Sequence, residues 1–239
     1  MKKIILVITF LVLTTLCKAQ SIDVFFSKTD AFFDKYVKDN KVDYDAIKKN
    51  DDALENILEI ASKIDISKEG VNTTKAFWIN AYNLSVIKGI VSRYPVKSPL
   101  DISGFFDKMT FTISGKKVTL NTIENKMIRA KYDDARVHFA LVCGANGCPP
   151  IISNAYMPNT LEEQLNKQTK LAVNNPSFIK VNEESKKIIV SQIFEWYKDD
   201  FISKNSKEID FINKYRTDKI GNDFKIIYYK YDWTLNKKK

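Results

Sequence analysis

Histidine is almost missing from this 239-residue chain: His138 stands alone. Arginine is nearly as scarce, at Arg93, Arg129, Arg136 and Arg216 only. A formal net charge of +9 therefore rests almost wholly on lysine. Those lysines are scattered among acids, apart from the Lys237–Lys239 tail, and form no basic stripe with aromatic or helical partners. That argues against a nucleic-acid reader, which concentrates its cations on one face. Glycine and proline are sparse, at 7 and 6. No Pro/Gly/Ser linker, charge block, repeat or low-complexity tract divides the chain, so one domain is expected over residues 20–239. About 220 residues suffice to bury a core of their own.

One long apolar run exists, Ile4–Leu16, behind the basic pair Lys2-Lys3. It falls short of the roughly 20 apolar residues a membrane-spanning helix needs. Cys17 and Ala19 put small residues at the −3 and −1 positions of a cut after Ala19. This is the pattern of a cleavable signal peptide over residues 1–19, and it predicts export to periplasm, cell surface or medium. Cleavage would remove Lys2, Lys3 and Lys18 and take the charge from +9 to +6. Cys17 raises a lipid anchor as a rival, but Leu16 precedes it, where that processing wants a small residue. No second segment could cross a membrane.

Of three cysteines, Cys143 and Cys148 survive export. An oxidising compartment and an even count favour a disulfide. Its loop, Cys-Gly-Ala-Asn-Gly-Cys, is short, so the bond would stabilise the fold modestly and shape the loop.

The periodicity predicts helices over residues 22–38, 45–63 and 72–94. The third is apolar on most sides and is expected at the centre. A hairpin follows at Met109–Leu120, then a helix from Asn121 to Ala130. Val137–Val142 is almost wholly apolar and reads as a buried strand. Thr160 and Glu163 form the pattern of a capping box for a helix to Val173. A hairpin over 178–190, helices over 192–201 and 207–215, and a strand over 224–230 complete the chain. Without a βαβ rhythm, the expected fold is α+β, with helices packed on a small antiparallel sheet.

The chemistry-bearing residues are few. His138 lies five residues before Cys143 and ten before Cys148, a spacing that invites a thiol nucleophile with its base. Strand alternation would turn Cys143 away from His138, unless the strand ends early at Gly144. A disulfide would remove the nucleophile, and a histidine satisfied inside a core is the bland alternative. The His-x4-Cys-x4-Cys series fits a zinc site poorly, since such sites pair ligands two to four residues apart and add a fourth. No metal or cofactor is expected. Glu124 reads as part of a capping box opening at Asn121, or as a carboxylate facing His138. Arg129 and Arg136 read as carboxylate partners, with anion binding as the second reading. Asn80 and Asn83 share one face of the most apolar helix, where buried amides must find partners. They either tie that helix to loops or line a polar pocket.

Phe77–Asn83 (FWINAYN), His138–Pro150 (HFALVCGANGCPP), Ser191–Phe201 (SQIFEWYKDDF) and Tyr231–Asn236 (YDWTLN), in this order, resemble the DUF547 family (domain of unknown function 547). Val42-Asp43-Tyr44 and the Ile123-Glu124…Arg129 stretch fit the same pattern. The resemblance runs from about residue 30 to 236 and implies no established activity. It implies that His138, Cys143, Cys148, Glu124, Asn80, Asn83 and Arg129 occupy motif positions around one site, and Trp78 is grouped with the binding candidates. A central helix followed by a histidine-bearing strand is also similar to papain-like and transglutaminase-like enzymes. Their nucleophilic cysteine precedes a tryptophan at the start of that helix; here Phe77 precedes Trp78.

Two functions are therefore expected in competition. One is a non-catalytic binding domain for a small molecule or peptide, with a His/Cys/Glu-lined pocket. The other is a thiol-dependent hydrolase or acyl-transfer enzyme using His138 with Cys143 or Cys148.

Overall fold

The computed structural model describes residues 22–202 and 206–238. The expected signal peptide lies outside the described residues. Helix α1 covers residues 22–36 and buries Phe25, Phe26, Phe32, Phe33 and Tyr36, the aromatic set spaced for one face. A two-residue ribbon, β1 (Val37–Lys38) with β2 (Lys41–Val42), turns the chain into α2 (Tyr44–Lys49). Asp43 caps α2, its carboxylate accepting from the Ala46 N–H at 3.0 Å. The single helix expected over 45–63 is two. Asn50 leaves the helical backbone, and α3 (Asp52–Lys63) restarts after it.

Helix α4 (Val71–Arg93) is the hub. From Lys75 to Val91 every residue except Lys88 is buried, which its all-round apolar sequence dictates. Its cap is Gly70, earlier than the Asn72/Thr73 expectation. One contiguous hydrophobic cluster extends from α1 through α4 to the C-terminal strand region. Fully burying a large apolar side chain such as Phe77 is worth about 1.5–3 kcal/mol.

Beyond α4, β3 (Thr110–Ile113) pairs antiparallel with β4 (Lys116–Thr119), the hairpin the sequence predicts. α5 (Leu120–Thr122) then passes without a break into a π-helical stretch, Ile123–Arg129, and α6 (Ala130–Tyr132). The N-cap is Thr119, whose hydroxyl accepts from the Thr122 N–H at 3.1 Å. Glu124 is therefore not the closing member of a capping box at Asn121. Asp133 ends the helix in the left-handed region (φ 42°).

The strand expected at Val137–Val142 does not form. Ala135–Phe139 is a 3-10 helix started by Asp134, whose side chain accepts from the Arg136 N–H. The run is apolar because it is buried on all sides beneath α4 and α7 (Leu161–Asn174), and burial alone does not distinguish strand from helix. Thr160 makes no side-chain cap to α7.

The last third forms a three-stranded sheet. β5 (Ile179–Asn182) and β6 (Lys187–Ser191) pair antiparallel as expected. α8 (Ile193–Trp196), α9 (Lys198–Phe201) and α10 (Glu208–Tyr215) intervene before β7 (Lys225–Tyr229). β7 then joins β6 in parallel, so the sheet is mixed rather than purely antiparallel. The fold is α+β. No described helix is long and apolar enough to cross a membrane.

Candidate functional site

A pocket of about 330 Å³ opens between the π-helical stretch, the 3-10 turn, the 143–148 loop, α8 and the C-terminal segment. Glu124, His138, Cys143 and Cys148 all line it. The remaining wall is mostly aromatic: Tyr82, Phe106, Trp196, Tyr197, Tyr231 and Trp233.

Glu124 reaches the pocket because it sits at the start of the π-helical stretch. Such widened turns are rare and often occur at functional sites. The Tyr82 hydroxyl donates to Glu124 Oε2 at 3.2 Å across the gap from α4. Burial first, and then the Glu124 charge, push the Tyr82 phenol well above its usual range. The same two causes raise Tyr197. Both phenols therefore stay protonated and act as donors to the carboxylate.

His138 sits on the opposite end of a second polar chain. Its Nε2 lies 2.6 Å from Asp200 Oδ2. Arg129 grips the same carboxylate with two prongs, Nε to Oδ2 at 2.6 Å and Nη2 to Oδ1 at 2.9 Å. This fork geometry is the strong form of the ion pair. Burial acts to raise the Asp200 carboxyl, but the His138 and Arg129 bonds outweigh it and hold it well below the usual carboxylate range. An ionised carboxylate only accepts, so Nε2 of His138 carries the proton. Tyr197 stacks on the His138 ring at 4.1 Å, and the Arg129 guanidinium lies 4.7 Å from the Tyr197 centroid.

The Cys143 and Cys148 sulfurs are disulfide-bonded, with Cα atoms 6.5 Å apart. Gly144 (φ +86°) lets the loop press against α4, since a Cβ there would stand 2.5 Å from Ile90 Cδ1. Gly147 gives the same clearance to the backbone N of Asp232, at 2.9 Å. The C-terminal YDWTLN segment is stitched to this loop. Gly147 N–H donates to Asp232 O, Asn146 N–H to Thr234 O, and Asn236 N–H to Gly144 O. That stitching carries Tyr231 and Trp233 over the disulfide. The Tyr231 hydroxyl stands 2.9 Å from Cys148 Sγ and 3.2 Å from Cys143 Sγ.

The remaining expected residues stand elsewhere. Asn80 makes a two-way clamp on the Tyr156 backbone, at 2.8 and 3.0 Å. Asn83 does the same across the Ala140 carbonyl and the Val142 N–H, at 3.0 and 2.9 Å. Both amides are spent holding the 3-10 turn and the following loops against α4, and neither lines the pocket. Trp78 is buried against Phe77 in the core. Arg129 acts through Asp200 rather than on the pocket surface, and Arg136 pairs with Asp134 and Glu162.

Asp200 is the residue sequence reasoning missed, with Tyr82, Tyr197, Tyr231, Trp196 and Trp233. A signal existed: all six fall inside the quoted motifs. Their aromatic majority reads as core by composition, and only the fold separates rings facing a cavity from rings facing other rings. Among the described residues no group of three or more His, Cys, Asp and Glu side chains is arranged to hold a metal ion.

Fold and site together define an α+β domain with an aromatic pocket floored by a carboxylate, a histidine and a disulfide. Residues 67–171 match the family described as "Protein of unknown function, DUF547". The matched span carries α4, the π-helical stretch, His138 and the disulfide loop. Asp200, the α8 aromatics and the C-terminal segment lie beyond it. No curated protein and no solved structure matches the chain, so the papain-like and transglutaminase-like outline gains no support.

Proposed function

We propose that this is an exported binding domain whose pocket takes a small organic cation. The observation that carries the reading is the composition of the wall. Six aromatic rings surround one carboxylate, Glu124, and no lysine or arginine lines the pocket among the described residues. A cation over aromatic faces is attracted by the ring quadrupoles, by about 0.5–2 kcal/mol per site. Glu124 is held by tyrosine hydroxyls, so a cation entering the pocket would meet a carboxylate acceptor among the rings. The volume falls at the small end of ligand pockets. Export is proposed from the Met1–Ala19 segment alone. The thiol-hydrolase alternative has no nucleophile while Cys143 and Cys148 remain bonded.

Tryptophan fluorescence tests this directly, because two of the three tryptophans, Trp196 and Trp233, stand in the wall. Choline chloride is titrated against its neutral isostere 3,3-dimethylbutanol at matched ionic strength. Saturable quenching and a raised Tm with choline only are expected, both weakened in Glu124→Gln. Equal responses to the two compounds reject a cation ligand, and no response to either rejects the pocket as its site.

A further inference from the structure

We propose that the Cys143–Cys148 disulfide is a working redox couple that exchanges with small monothiols entering the pocket, Cys143 Sγ being attacked and Cys148 Sγ leaving. Three observations converge on this. First, the bond lies where the core meets the pocket wall, and its two sulfurs differ in access: Cys143 is part-exposed and Cys148 buried.

Second, hydrogen-bond donors favour one sulfur, the Tyr231 hydroxyl lying nearer to Cys148 Sγ than to Cys143 Sγ. Cys148 Sγ receives the Tyr231 O–H at 2.9 Å and the Cys143 backbone N–H at 3.0 Å. A disulfide sulfur is a weak acceptor and gains little from two donors, whereas a thiolate gains much. Burial keeps the Tyr231 phenol protonated, so it remains a donor throughout.

Third, the loop does not need the bond to keep its shape. Backbone bonds between Gly144, Asn146 and Gly147 and the 232–236 segment, the Ala145–Leu235 bridge, and Asn146 Nδ2 to Thr234 Oγ1 at 2.8 Å pin it independently. Closing so short a loop also removes little chain entropy. As a staple, the bond adds modestly to these contacts; as an exchangeable bond, it sits in a loop that they hold when it opens.

In the first step a monothiolate attacks Cys143 Sγ. Its sulfur bonds to Cys143, the Cys143–Cys148 bond breaks, and the electron pair leaves on Cys148 Sγ. A second monothiolate attacks the small-molecule sulfur of the mixed disulfide and releases Cys143 as a thiolate. Two monothiols become one small disulfide, and the protein takes up two electrons and two protons. In reverse, a small disulfide reoxidises the Cys143/Cys148 pair and leaves as two monothiols.

The test uses the mature, folded protein with 2-mercaptoethanol, alkylation and intact-mass measurement. Two alkylatable thiols are expected without denaturant, with circular dichroism unchanged. Treated with bis(2-hydroxyethyl) disulfide, Cys148→Ser is expected to hold a mixed disulfide on Cys143 with release of one 2-mercaptoethanol, and Cys143→Ser to be capped at least about tenfold more slowly. Tyr231→Phe is expected to slow reduction roughly tenfold, the worth of one hydrogen bond to a charged sulfur. Thiols that appear only in denaturant, or equal capping of the two serine variants, overturn the proposal. Should Tyr231→Phe fail to fold, the two serine variants decide alone.

Discussion

Asp134 and Asp200 are each gripped by two bases, yet they do different work. Asp134 holds Lys75 and a forked Arg136, whose Nε and Nη2 lie 2.8 and 2.7 Å from its oxygens. All three side chains are at most 14% exposed. Asp200 holds a forked Arg129 and His138, and a quarter of its side chain is open. In the first cluster the partners are a lysine and an arginine, and the arrangement is a brace between α4, the 3-10 turn and α7. In the second, one partner is a histidine whose ring forms pocket wall. The same carboxylate chemistry serves anchorage where its partners are lysine and arginine, and orientation where one partner is the histidine that lines the aromatic pocket.

The largest effect that could break this contrast is Asp134→Asn. It strands the buried Lys75 ammonium, and breaking such a pair costs about 3–5 kcal/mol. A denaturant midpoint shift, or a Tm lowered by roughly 10 °C, is the expected readout. If Asp200→Ala costs as much, the two clusters are the same kind of brace.

Acid titration sharpens the contrast next. Burial alone would raise Asp134, but its bonds to Arg136 and Lys75 lower it from 3.8 to about 2. A depressed folded value means the contribution is complete above about pH 4 and disappears as pH falls toward 2. Its size is roughly 2 kcal/mol, since each tenfold change in proton affinity is worth about 1.4 kcal/mol. Stability of the wild type measured from pH 5 to pH 2 should fall more steeply than that of Asp134→Asn.

Asp200→Ala comes third, at about 1–2 kcal/mol, because its side chain is part-solvated. Its diagnostic effect is local. His138 is the only histidine, so imidazole nitrogen resonances report it alone. Wild type should show the Nε2–H form, and the variant a mixture of tautomers. An unchanged tautomer means Asp200 does not orient the ring. The smallest effect is Tyr82→Phe, which loses one 3.2 Å bond to Glu124 and should cost under about 1 kcal/mol while weakening choline binding.

Much of the architecture was legible before any fold was known. The aromatic face of α1, the all-round apolar α4, both hairpins and the α+β class followed from periodicity and turn residues. Errors clustered where local pattern and tertiary demand part. Val137–Val142 is apolar because it is enclosed, and enclosure carries no period from which to read strand or helix. β7 pairs parallel to β6 because three helices return the chain to the same end of the sheet, a route invisible in the strand's own residues.

The site divides the same way. Proximity of His138, Cys143 and Cys148 was readable because scarce residue types fell inside one short motif, whereas Glu124 joined them through the family resemblance. That Asn80 and Asn83 clamp backbone was open from the sequence, which established only that buried amides need partners. Asp200 was unreadable as the partner of His138, since 62 residues separate them and its motif does not say which residue it meets. The sequence by itself determined which segments would be buried, which residues could carry chemistry, and the short reach between Cys143 and Cys148. Only the tertiary structure decided which carboxylate meets the histidine and which rings face a cavity. Periodicity and spacing are local properties, whereas contacts across the pocket depend on where the folded chain brings distant segments together.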